Sequence, residues 1–220
     1  MRMRISIGLG LCAWLFYGCG GQPRLQENPN SIKGFYASQL LWPENNLVVC
    51  WENPSDETVN EEIWVRDRIT ETWEIHSNLN FVGWLPCKDT FKPNIRILIS
   101  DTGAHTTGLG KALDGVPDSM VLNFTFKNWN RHCTVSEERR RKCIETIGIH
   151  EFGHAIGIAH EHNRPDRPSD CQDERQGAIV DTTVGDFDDE SIMNYCYKAS
   201  YNNRLSAGDI ETVQAMYGRP

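Results

Sequence analysis

The 220-residue chain predicts an α+β domain built on a partly parallel sheet, and three features of the sequence carry that prediction. Residues 58–76 place Val59, Ile63, Ile69 and Trp73 at helical spacing, between short apolar runs at 47–51, 79–84 and 95–99. A helix lying between strands is the mark of a crossover that joins parallel neighbours. A second helical stretch runs from the capping-box pattern Thr134-x-x-Glu137 to about Ile156, with Ile144 and Ile147 toward the core and Gly148 and Gly153 open to close packing. Beyond it, residues 163–190 are rich in Asp, Pro and Gly without any sustained period. Residues 205–218 then close the chain as a last helix, capped by Ser206 and stopped by Gly218, with Ile210, Val213 and Met216/Tyr217 as its apolar face.

In chain order, residues 1–18 read as a signal peptide, with Arg2 and Arg4 ahead of a largely apolar run from Ile5 to Tyr17. That run is too short for a stable bilayer anchor. It ends in Phe16-Tyr17-Gly18-Cys19, which looks like a bacterial lipobox with Cys19 as the lipidated residue; ordinary cleavage near Gly18–Gly21 is the alternative. Residues 19–45, with Pro23, Pro29 and Pro43 among Gln, Asn and Ser, have the composition of a tether. The folded domain is therefore expected over 46–220.

The chain is acidic, with a formal charge of −8, and no basic stripe stands out, which argues against a nucleic-acid partner. Arg139-Arg140-Arg141-Lys142 is the one dense basic run and reads as a solvated helix face. Of eight cysteines, Cys12 and Cys19 belong to the leader, leaving six in the body. An even number in an exported chain points to disulfides, and six allow fifteen connectivities. Cys133–Cys143 is expected by proximity, with Cys50–Cys87 and Cys171–Cys196 as the other pairs. The absence of any C-x-x-C pair argues against a cysteine zinc site.

Trp51, Trp64, Trp73 and Trp84 read as core or half-buried packing. Residues 100–117 are glycine-rich and read as a long loop, with Asp101, Asp114 and Asp118 as candidate calcium (Ca2+) carboxylates. Residues 120–126 read as the last strand before the long helix. Asn123-Phe124-Thr125 also spells a glycosylation sequon, which a bacterial-type leader leaves unused. Asp186, Asp188 and Asp189 read as solvated or capping residues.

The chemistry concentrates in His150-Glu151-Phe152-Gly153-His154, followed by Gly157 and His160. Two histidines four apart on a helix lie within roughly 40° of each other and about 6 Å along the axis, so both reach one metal ion. On a continuing helix His160 would stand roughly 15 Å from His150. Gly157 accepts the left-handed conformation that ends a helix and lets the chain swing His160 back. Three neutral imidazoles with one open position make a catalytic rather than a structural zinc (Zn2+) site. Glu151, beside the first ligand, is placed to act as general base. The bare H-E-x-x-H pattern arises by chance in roughly one such chain in a hundred or two; adding the glycine and third histidine lowers that about a thousandfold.

The histidine pattern together with Ser191-Ile192-Met193-Asn194-Tyr195 resembles the metzincin zinc metalloproteases. His160-Glu161-x-x-Arg164-x-Asp166-Arg167 is most similar to the astacin branch. Two positions depart from that branch: Asn194 stands where histidine is common, and Pro168 where aspartate is usual. The resemblance implies a twisted, mostly parallel sheet with an antiparallel edge strand at 120–126 lining the cleft, a long active-site helix, and an irregular C-terminal part with a Met-turn and final helix. It implies Met193 as a packing floor beneath the metal ligands, and Tyr195 as a resting metal ligand or an oxyanion donor. His76, His105, His132 and His162 lie outside the ligand spacing and read as surface or loop residues. Glu161 and Arg164 read as a structural ion pair.

The function these observations imply is a secreted or surface-anchored zinc endopeptidase that acts on an extended peptide. The chain is read as a monomer, touching membrane only through a lipid at Cys19. A zinc hydrolase of non-peptide or cell-wall bonds, and an inactive binding module on the same scaffold, are the competing readings. Intact Glu151 speaks against the second of these.

Overall fold

The structure, a computed structural model, describes residues 34–177, 180–196 and 203–220. The leader at 1–18 and the Cys19 anchor lie outside the described residues. The tether expectation needs correcting over its second half. Gly34–Tyr36 forms a strand (β1), and Phe35 and Trp42 are buried. The Trp42 indole donates to the Ala155 carbonyl at 2.7 Å, so this stretch packs into the body of the domain.

Asn46–Trp51 (β2), Asn80–Pro86 (β3), Ile95–Ile99 (β4), His105–Thr106 (β5) and Met120–Leu122 (β6) make one sheet in the order β3-β2-β4-β6-β5. β2 runs parallel to both β3 and β4, and β4 parallel to β6; β5 alone is antiparallel, against β6. The mostly parallel sheet with an antiparallel edge is thus present, but the edge is not where the sequence put it. Residues 120–122 are interior, and the edge is His105–Thr106, inside the glycine-rich stretch expected to be loop. Only two residues pair there, too few to leave a periodic signal. The strand expected over 120–126 stops at Leu122, because the Asn123 side chain accepts from the Thr125 and Phe126 backbone amides and turns the chain.

One helix, Val59–Ile69 (α1), extends through a wider turn at Thr70–Glu74. The long helix Glu137–Ala155 (α2) packs against it. Val65, Ile69 and Trp73 meet Ile144, Ile149 and Phe152 above Leu47, Val49, Trp51, Ile95 and Ile97, all essentially inaccessible to solvent. The register between β2 and β3 slips by one residue at Trp84, after Gly83 at φ 97°. This bulge turns Trp84 onto Phe152, with ring centroids 5.5 Å apart.

The cap of α2 also differs from expectation. Ser136 accepts from the Arg139 amide at 3.1 Å, whereas the Thr134 hydroxyl bonds back to the Arg131 carbonyl in a preceding turn. Near its far end α2 is bolted down by side chains from three other segments. The Trp73 indole donates to Ile149 O, Trp42 to Ala155 O and the Tyr217 hydroxyl to Ile156 O. The last helix, Ala207–Tyr217 (α3), has the expected Ser206 cap, made reciprocal by Asp209. Thr182–Val184 (β7) pairs antiparallel with β1. The three expected disulfides, Cys50–Cys87, Cys133–Cys143 and Cys171–Cys196, are all present.

Candidate metal centre and active site

The last turns of α2 carry His150, Glu151 and His154. The helix then ends in a left-handed turn. Gly157 has φ 106°, its amide bonds His154 O, and the Ile158 amide reaches back to Gly153 O at 2.9 Å. That pattern satisfies carbonyls a helix end otherwise leaves open. The reversed chain is then held against the N-terminal strand: Ala159 N donates to Phe35 O and Ala37 N to Gly157 O. His160 thereby returns over the helix, and its Nε2 comes to 3.2 Å from that of His150 and 3.1 Å from that of His154.

Each of these rings is fixed from behind. His150 Nδ1 lies 2.9 Å from Ile192 O, His154 Nδ1 2.8 Å from Ile158 O, and His160 Nδ1 3.0 Å from Gln176 O. A carbonyl can only accept, so each Nδ1 carries the proton and each Nε2 turns a lone pair toward the others. Three lone pairs converging this closely repel one another unless a cation sits among them. A tetrahedral zinc with nitrogen ligands holds them about 3.3 Å apart, so these residues fit that ion. Burial, reinforced by His160 close by, pushes the His150 pKa down to about 3; burial also lowers His154 and His160. All three are neutral near pH 7, as ligands must be. Among the described residues this trio is the group of three or more ligating side chains able to share an ion. Asp101, Asp114 and Asp118 do not converge, so the calcium expectation is corrected: Asp101 is instead bonded to Asn123 and Asn128, and Asp114 to Asn94.

Glu151 is buried, and its Oε2 makes no hydrogen bond. Burial pushes its carboxyl up to about 8. Tyr195 is 37% exposed and its hydroxyl stands 3.0 Å from His150 Nε2, the atom that faces the ion site. Ser191–Tyr195 loops beneath the histidines. The Ser191 hydroxyl accepts from Met193 N, Met193 O accepts from Glu161 N, and Met193 is wholly buried under Gly153. Asn194, which stands where histidine is common in the astacin branch, closes this turn with its side chain, accepting from Cys196 N and donating to Asp189 O.

Several residues that shape the site escaped sequence reasoning. Asp209, on α3, is buried and takes hydrogen bonds from the Ser191 hydroxyl, Ile192 N and Ser206 N, tying the turn to that helix. Its only sequence signal was the cap pattern Ser206-x-x-Asp209. His162, expected at the surface, is fully buried against Tyr195 and His160. Asp188 accepts from the Ser206 hydroxyl at 2.6 Å and from Glu190 N. The Glu161–Arg164 pair is present and buried, at 3.4 Å.

The cleft opens along β5. A cavity of about 430 Å³ is bounded by Thr106, Glu151, His154, His160 and Tyr195. A second, of about 160 Å³, is bounded by Trp129, Ile147, His150, Glu151 and Tyr195. Glu151 and Tyr195 stand where the two meet.

Residues 134–218 match the family model Astacin, which describes a peptidase family. The chain is 39% identical over 208 residues to "Nematocyst expressed protein 6" of Nematostella vectensis, covering 86% of this chain and 62% of that protein. It is 23% identical over 191 residues to "Hatching enzyme" of Paracentrotus lividus, covering 84% of this chain and 27% of that one. The chain therefore spans less than two thirds of the length of either relative. Among solved structures, that of myroilysin superposes with a TM-score of 0.61 at 20% identity, over 85% of this chain and 100% of that one. A second myroilysin structure gives 0.51 at 19% identity, over 87% of this chain and 93% of that one. The α+β fold is thus the one shared with myroilysin, and the segment matched by the Astacin model contains all three histidines, Glu151 and the Met193 turn.

Proposed function

We propose that this chain is an exported zinc-dependent endopeptidase whose catalytic domain follows a leader at 1–18, with Cys19 as a lipid anchor. The observation that carries the reading is the convergence of three unprotonated Nε2 atoms beside the buried, unbonded Oε2 of Glu151. His150, His154 and His160 would hold zinc, which would supply Lewis acidity toward a peptide carbonyl and bring the pKa of a water to about 7. Glu151 accepts the proton of the attacking water and returns it to the leaving amide nitrogen. Tyr195 donates its hydroxyl hydrogen to the carbonyl oxygen as that oxygen gains negative charge. The β5 edge borders the larger cavity, and an extended peptide adds to such an edge as the next strand. Three disulfides suit an oxidising compartment.

The test is a pair of variants assayed on a mixed peptide library. Glu151→Ala keeps about one zinc per chain and loses nearly all hydrolysis, while His160→Ala loses both. An active, zinc-loaded Glu151→Ala protein overturns the mechanism. Hydrolysis of cell-wall material by a wild-type protein inert toward every peptide overturns the substrate assignment.

A further inference from the structure

His162 sits two residues past the third candidate ligand, wholly inaccessible to solvent, and none of the steps above uses it. Its ring lies 4.9 Å from that of Tyr195 at an interplanar angle of 26°, and 4.9 Å from that of His160 at 31°. The Glu174 backbone is the one polar group that reaches its ring among the described residues, and it does so at best weakly. Burying an imidazole with so little hydrogen bonding costs stability, so its place calls for a compensating role. A buried apolar residue would fill the same volume without that penalty.

The element that carries His162 is rigid. Glu161 N is bonded to Met193 O. The Asn163 amide exchanges hydrogen bonds with the Gln176 backbone in both directions. Arg164 is buried and bonded to Asp166, Gly34 O and Gly185 O. Tyr195, by contrast, is the most exposed member of the site. Its ring has a near-parallel contact with His150, at 5.2 Å and 15°, as well as the one with His162. A fixed flat ring packed against a more exposed flat ring limits the tilts the latter can take.

We propose that His162 is a positioning residue, whose imidazole, packed against the Tyr195 ring, holds the phenol hydroxyl toward the ion site. This rests on the zinc-peptidase reading, but it concerns a flat packing surface rather than a ligand. It predicts that planarity at position 162 matters more than volume or polarity: phenylalanine should substitute, and leucine or alanine should not.

The experiment compares His162→Ala, His162→Leu and His162→Phe in the full chain, with zinc and, separately, with copper(II). Copper reports on the tyrosine directly, because a phenolate within bonding reach gives a visible charge-transfer band that histidine ligands alone do not. The Ala and Leu variants should bind one metal per chain yet lose most of that band, and their kcat should fall about tenfold with KM little changed. His162→Phe should restore both. In a Tyr195→Phe background, His162→Leu should change kcat by less than about twofold, since its effect runs through the hydroxyl already removed. Wild-type band and kcat in the folded Leu variant overturn the proposal, as does a full loss that persists in the Tyr195→Phe background. Absence of the band in the wild-type protein overturns it too. A wild-type protein that shows the band but cleaves no peptide defeats the peptidase reading while the copper spectra still decide the role of His162.

Discussion

Met193 lies so close beneath Gly153 that a side-chain carbon at position 153 would stand 2.5 Å from its sulfur and 3.3 Å from Trp73 Cζ2. The relationship joins two distant parts of the chain. Met193 belongs to the turn whose Ile192 carbonyl orients His150, and Gly153 belongs to the helix that carries His150 and His154. Any displacement of that turn therefore reaches the histidine cluster through one hydrogen bond.

Gly148, on the same helix, provides the control. A Cβ there would meet Val65 at 3.5 Å, an ordinary contact. Alanine is preferred over glycine in a helix by about 1 kcal/mol, so Gly148→Ala should stabilise by about 0.5–1 kcal/mol. Gly153→Ala gains the same propensity but must displace a buried methionine, and overpacking costs about 1–3 kcal/mol. The net effect should be a loss of stability with weakened zinc binding. Urea unfolding of the metal-free proteins measures the first and zinc titration the second, and equal stabilisation by the two alanines would show that Met193 yields freely.

Arg164 is the next test of how the ligand loop is held. Its guanidinium joins the Gly34 carbonyl of β1 to the Gly185 carbonyl just after β7, and it also meets Asp166 and the buried Glu161. Arg164→Ala leaves Glu161 buried without its cation, which should cost about 3–5 kcal/mol. Arg164→Lys keeps the charge but not the fork, and should fall between alanine and wild type. Unfolding midpoints at constant m-value report this order; a lysine variant as stable as wild type would mean that charge alone matters.

The histidine cluster was legible in the sequence because it is local: His150 and His154 share a helical face, and Gly157 turns the chain so that His160 returns. Helices α1 and α3 and strands β2 and β4 were legible for the same reason, since period and caps are properties of contiguous residues. The edge strand was not, because two pairing residues in a glycine-rich stretch have no period. Nor was the inclusion of residues 34–45, whose few apolar groups, Phe35 and Trp42 among them, are buried against segments more than a hundred residues away. The burial of His162 was not legible because the Tyr195 ring that covers it comes from a turn more than thirty residues away in the chain.

The electrostatics of Glu151 give a prediction about metal uptake. In the metal-free site burial raises its pKa to about 8, so at pH 6 the carboxyl holds its proton. A divalent cation nearby reverses that preference and drives the proton off. The histidines, already neutral, have none to release. Zinc binding at pH 6 should therefore release about one proton, and apparent affinity should rise by roughly tenfold per pH unit in the range below about 7. Calorimetry in two buffers of different ionisation enthalpy counts the proton. Glu151→Gln should abolish the release at pH 6, below the value near 7 at which a zinc-activated water titrates. An unchanged proton count in that variant would place the proton elsewhere.

Tyr195 carries the remaining prediction. Its hydroxyl is 3.0 Å from His150 Nε2 and its side chain borders both cavities that flank Glu151, so under the proposed function it faces the place a peptide carbonyl would take. A donor that engages the carbonyl oxygen only as charge develops stabilises the transition state more than the bound substrate, and so appears in kcat rather than KM. Tyr195→Phe removes that donor and keeps the ring contacts with His150 and His162. The expected outcome is a fall in kcat of about ten- to a thousandfold with KM little changed. Zinc should stay bound, because the three imidazoles and their carbonyl partners are untouched. Steady-state kinetics on a zinc-loaded, folded variant decide it, and a wild-type kcat would reduce Tyr195 to packing.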